Sequence, residues 1–126
     1  MLEETIERLI ALAKEEKWAE VDEALPKLRK DNEIRIWAYK KGLFEEDGNV
    51  RDLAASILEK ADWFENQRLI HDLVYNTLRQ EKHPYARFRM ACALVAHGYK
   101  EPEVIEVLEN APDDVKPIAL KYLVQK

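Results

Sequence analysis

Apolar residues recur along this chain at the three-and-four spacing of an α-helix, in eight consecutive stretches separated by two to five residues of breaker. Helices that short are marginal alone in water, so each must lay its apolar face on a neighbour. Composition points the same way. Ser56 is the only serine, Thr5 and Thr77 are the only threonines, and there are 3 glycines, while Glu, Lys, Leu and Ala dominate. Strand and turn vocabulary is scarce, and an all-α protein is expected. The length of 126 residues suits one domain with a continuous core.

The first stretch covers about residues 3–14, with Ile6, Leu9, Ile10 and Ala13 on one face. The second runs from Lys17 to Lys30 through Trp18, Val21, Leu25 and Leu28, and Pro26 inside it predicts a kink or a restart. In the third, about 32–43, Ile34, Ile36, Trp37, Tyr39 and Leu43 point all round, as in a helix that is central or keeps an exposed apolar face. The fourth follows the turn Glu45-Glu46-Asp47-Gly48-Asn49 and has the cleanest stripe: Val50, Leu53, Ala54, Ile57, Leu58 and Ala61. The fifth, about 66–80, shows Leu69, Ile70, Leu73, Val74, Thr77 and Leu78. His83-Pro84 opens the sixth and Gly98 closes it as a left-handed cap. Only Arg87 and Arg89 are charged between them, so burial nearly all round is expected there. The seventh begins at Glu101-Pro102, and the eighth follows Pro112-Asp113-Asp114. No long linker interrupts the series, which predicts a single domain over 1–126.

Several helix starts share a pattern that a bundle does not require. Asp31-x-x-Ile34-Arg35-x-x-Ala38, Asp47-x-x-Val50-Arg51-x-x-Ala54, His83-x-x-Ala86-Arg87-x-x-Met90 and Pro112-x-x-Val115-Lys116-x-x-Ala119 align, and three of the four continue to Leu58, Leu94 and Leu123. The anchors Val50, Ala86 and Val115 lie 36 and 29 residues apart, one helical hairpin each. Self-similarity at that period marks a solenoid of stacked helix pairs. The run Asp47, Val50, Arg51, Ala54, Ala55, Leu58 resembles the second helix of a HEAT repeat, and Leu25-Pro26-x-Leu28 before Asp31 resembles the junction between the helices of one. The resemblance implies a short right-handed α-α superhelix of about eight helices in about four hairpins, of the HEAT-like or armadillo type, serving as a non-catalytic protein-binding or scaffold module. His83 and Pro112 depart from the pattern, and the anchors Ile34 and Val50 are only 16 residues apart, which leaves the pairing of helices two to four open.

Stacking of the repeats would align Arg35, Arg51, Arg87 and Lys116. Such a column either ties one repeat to the next through neighbouring aspartates or forms a ridge that grips an acidic partner or a nucleic-acid backbone. With Arg89, Trp37 and Tyr39 these residues make up the candidate partner-binding set, since exposed aromatics act as interface anchors. Charge is blocky: residues 26–41 and 73–100 each carry +4, whereas 1–25 and 42–72 each carry −5 and 101–126 carry −3. The net charge of −5 and a pI near 5.3 favour a protein partner over general nucleic-acid binding. The chain is expected to be a monomer or a weak homo-oligomer.

Catalytic arrangements are thin. Ser56 sits in a helix interior with no elbow glycine beside it, and Cys92 lies among apolar residues as a buried, inert thiol. His71, His83 and His97 are 12 and 14 residues apart, so no pair has the spacing of a helical metal site. His83 reads as a helix start and His97 as a helix C-terminal cation whose protonated form is favoured. Adjacent carboxylates such as Glu45-Glu46 read as solvated caps and turns. No enzyme activity, metal or cofactor is expected. One cysteine, no apolar run of membrane-spanning length, and acidic groups throughout residues 1–23 predict a cytoplasmic chain without a leader or a membrane span.

Overall fold

In the computed structural model, which describes residues 2–124, the chain is helical with no strands among the described residues. The elements are α1 (Leu2–Lys14), α2 (Trp18–Ala24), α3 (Asn32–Lys40), α4 (Gly48–Lys60), α5 (Gln67–Gln80), α6 (Pro84–Ala96), α7 (Pro102–Glu109) and α8 (Lys116–Leu123). Each coincides with one of the eight apolar stretches. The second stretch is shorter as an α-helix than its apolar pattern suggested. It tightens into a 3-10 turn over Leu25–Leu28, because Pro26 has no N–H to donate. The third likewise ends at Lys40, and Leu43 reaches the core from a 3-10 turn over Gly42–Phe44.

The shared pattern at the helix starts is a capping device. Asp31 accepts from the Ile34 N–H at 3.0 Å, Asp47 from the Asn49 N–H at 2.7 Å, and His83 accepts through Nδ1 from the Ala86 N–H at 3.2 Å. Pro112 has no side chain able to do this, and α8 there begins only after a 3-10 turn over Asp113–Val115. Gly98 ends α6 at φ +91°, with the Tyr99 N–H returning to Leu94 O and the Gly98 N–H to Val95 O. Glu16 closes α1 in the same way at φ +59°.

The most extensive helix contact joins α4 to α6. Around that pair, α1 and α3 pack on α4, while α5, α7 and α8 pack on α6. The pairing left open by the sequence is settled: α1 packs with α2, and α3 with α4. One apolar cluster runs from Leu9 on α1 to Ala119 on α8. As expected, α6 buries Ala86, Phe88 and Met90 to Val95. Helix α3 is not central; it buries Ile34, Ala38 and Tyr39 and leaves Ile36 38% exposed. No helix among the described residues is long and apolar enough to cross a membrane.

Where α4 and α6 begin, the Gly48 backbone nearly touches the His83 ring. A Cβ on Gly48 would lie 2.3 Å from His83 Cδ2 and 2.7 Å from Cγ, and His83 is held there by its capping bond to Ala86. Gly48→Ala must therefore displace the His83 ring and weaken the cap, with an expected loss of about 1–3 kcal/mol in chemical denaturation. A Gly48→Ala variant as stable as the parent would show that this contact does not control the α4–α6 junction.

Candidate functional site

The basic column of the sequence pattern divides into separate local roles. Arg51 is committed: Nε and Nη2 donate to the two oxygens of Glu81 at 2.6 and 2.8 Å, and Nη1 donates to the carbonyls of Glu45 and Glu46 at 2.8 Å each. Glu81 in turn accepts from the Lys82 and His83 N–H groups at 3.1 and 3.0 Å. The hydrogen bond to Glu81 raises the Arg51 pKa, and burial of Glu81, which alone would push its carboxyl up, is outweighed by Arg51 so that its pKa falls. This fork fastens the start of α4 to the loop between α5 and α6. Arg35 is buried, with Nε and Nη1 unpartnered and its guanidinium 4.9 Å over the Phe64 ring. Phe64 itself is exposed and holds φ +49°. Arg87 is exposed with Nε 3.4 Å from Leu78 O, and Lys116 is exposed 3.8 Å from Asp113. Tyr39 is buried, and half-buried Trp37 lies beside Ile36 in a shallow depression against Ile6 of α1.

Histidine 97 corrects one expectation. It stacks on Trp63 at 3.9 Å between ring centroids and donates through Nε2 to Leu58 O at 3.0 Å. Burial lowers its pKa despite its place at a helix C-terminus, so the neutral ring is favoured. Cys92 is buried as expected, and burial pushes its thiol pKa up.

Arg89 is the one predicted residue that stands in a larger polar constellation. Helix α4 is buried on every side over residues 52–59, and that run includes Asp52, Ser56 and Glu59, which share a face at helical spacing. Arg89 Nη1 donates to Glu59 Oε1 at 3.0 Å, and the Tyr122 hydroxyl of α8 donates to Glu59 Oε2. Burial, reinforced by Glu59, raises the Tyr122 pKa and keeps it a donor. Asp52 is less well served. Its single hydrogen bond is to the Ser56 hydroxyl at 3.3 Å, and burial pushes its pKa up to about 7 against the opposing pull of Arg89. The signal for this face was present in the sequence as the spacing of Asp52, Ser56 and Glu59, but the apolar stripe of the same helix masked it.

Above this face lies an open groove. One cavity, of about 580 Å³, is bounded by Trp18 and Asp22 of α2, Asp52 and Ser56 of α4, Arg89 of α6 and Ile118 of α8. A second, of about 450 Å³, continues it past Leu25, Glu59, Lys121 and Tyr122, and both share Asp22, Ser56, Arg89 and Ile118. The groove thus has α4 and α6 as its floor and α2 and α8 as its walls. At its rim the Tyr85 hydroxyl donates to Asp114 at 2.9 Å, joining the start of α6 to the turn before α8. Among the described residues no three His, Cys, Asp or Glu side chains gather as a metal site would require. No family model matches the chain, and no curated protein or solved structure matches it.

Two measurements test this chemistry. Arg51→Ala leaves Glu81 buried without its cation and is expected to cost about 3 kcal/mol of stability, with Glu81→Gln in the same background restoring part of it. The second concerns pH. An unfolded aspartate ionises near pH ~4, whereas folded Asp52 keeps its proton to about 7, so the folded state binds the extra proton in that window and stability falls as pH rises through it. Asp52→Asn removes this loss. Its thermal stability relative to the parent should rise across the window, by on the order of 2–4 kcal/mol at the alkaline end; parallel pH profiles for the two proteins would show that Asp52 is well solvated.

Proposed function

We propose that this chain is a non-catalytic binding module, a short α-solenoid of HEAT-like type whose groove between α2 and α8 receives a segment of another protein. The groove itself carries the reading. Its two adjoining cavities run across the α4–α6 floor as one depression, open to solvent and lined by both apolar and polar side chains. The order of packing supports the solenoid. Contacts pass from α1 to α3 to α5 on one side and from α4 to α6 to α8 on the other, with the turn after α2 also resting on α4, as in two layers of stacked hairpins.

A nucleic-acid partner gripped by the basic column is the weaker reading. Arg51 is spoken for by Glu81 and two carbonyls, Arg35 is buried, and the first cavity of the groove is lined by Glu16, Asp22, Asp52 and Asp114. Ser56 and Cys92 offer little to a catalytic reading, because the Ser56 hydroxyl is turned onto Asp52 and the thiol is buried with a raised pKa.

Site-specific photocrosslinking tests the groove. Benzoylphenylalanine in place of Tyr85 at the rim, or of Leu69 on the exposed face of α5, is irradiated in lysate of the source organism with and without nuclease. Nuclease-resistant protein adducts from position 85 and not from position 69 are expected. Adducts from position 69 alone, or adducts lost on nuclease treatment, would overturn the reading.

A further inference from the structure

We propose that the deep end of the groove is a receptor for one cationic side chain of the partner segment, an arginine or a lysine, held between Asp52 of α4 and Asp22 of α2. This rests on the groove being the binding surface.

Three observations point to a cation. First, Asp52 is only 7% exposed, yet among the described residues its carboxylate receives one hydrogen bond, the long one from Ser56. A buried carboxylate so sparsely hydrogen-bonded is an unfavourable arrangement that a charged ligand relieves. Second, Arg89 serves Asp52 only in part: its charge pulls on Asp52 from the same groove floor, but its Nη1 donates to Glu59, whose other oxygen is taken by Tyr122. Third, the remaining carboxylates of this cavity repeat the sign: Asp22 stands on the opposite wall, Glu16 and Asp114 lie at the rim, and Arg89 is the single permanent cation of the lining. A cation entering here is drawn by these carboxylates as well as by Asp52, and their attraction exceeds the repulsion of Arg89.

The shape favours an organic cation. Trp18 of α2 and Ile118 of α8 flank the path to Asp52 and give apolar walls for a methylene stem, while the charged head meets the carboxylates. Two carboxylates are too few for a metal centre, since no cluster of three metal-ligating side chains exists among the described residues, but they suffice for a guanidinium or an ammonium. Phosphate is repelled by the same lining.

The peptide acetyl-Ala-Ala-Arg-Ala-Ala-amide serves as probe, with counterparts carrying citrulline, the neutral isostere of arginine, or glutamate at the central position. Each is titrated into the isotopically labelled full chain, and amide shifts are followed by NMR. The arginine peptide is expected to shift Asp52, Ser56 and Arg89 saturably, with the citrulline peptide weaker by about ten-fold, the effect of one charge-assisted pair. Asp52→Asn should weaken the arginine peptide to the citrulline level. Asp22→Asn, an exposed change that leaves the core intact, should weaken it several-fold. Equal shifts from the arginine and citrulline peptides, preference for the glutamate peptide, or shifts confined to residues outside the groove would overturn the cation receptor. Should the arginine peptide fail while crosslinking at position 85 still captures a protein, the groove stands and only the cation falls; failure of both removes the groove as well.

Discussion

The packing of α4 against α6 is the contact on which the other helices are arranged. Small side chains make it close: Ala54 and Ala55 on one helix and Ala86, Ala91, Cys92 and Ala93 on the other are fully buried. Near their starts the helices approach so tightly that only glycine fits at position 48 beside His83. Close approach places many atoms in dispersion contact and leaves no room for water, which gives the pair its rigidity. Helices α1 and α3 pack on α4, and α5, α7 and α8 pack on α6.

Central placement has an electrostatic consequence. Buried over residues 52–59, α4 can turn its polar side chains only toward the groove and its packed neighbours, so Asp52, Ser56 and Glu59 must find partners there or stay short of them. Glu59 is satisfied by Arg89 and Tyr122, and Arg51 at the start of the same helix by Glu81 and two backbone carbonyls. These pairs bind successive elements together, because breaking either would strand a buried charge. Asp52 is the exception. A carboxylate that folding raises to about 7 reduces stability at neutral pH.

Helix number, helix starts and the burial of α6 were legible because they depend on local rules. Asp31, Asp47 and His83 cap helices through hydrogen bonds to N–H groups two or three residues on, and Pro26 interrupts α2 by its own covalent structure. The groove was not legible. Asp22, Asp52, Arg89 and Ile118 come from four helices, and no local pattern records that they meet. Arg89 stands out in the sequence as one of two charges on an otherwise apolar helix, whereas nothing local singles out Asp52. The basic column illustrates the opposite error of emphasis: residues equivalent in sequence have unlike surroundings, with Arg35 buried, Arg51 in a fork, and Arg87 and Lys116 at the surface.

By itself, then, the sequence determined the all-helical class, the eight segments and most of their boundaries, because caps, breakers and apolar periodicity act within a few residues of chain. Tertiary structure alone decided which helix is central, which charges are paired, and where a groove opens. Those outcomes depend on which surfaces exclude water from one another. The side chain of Asp52 is the same at any depth, but its ionisation near neutral pH follows from the helices that cover it.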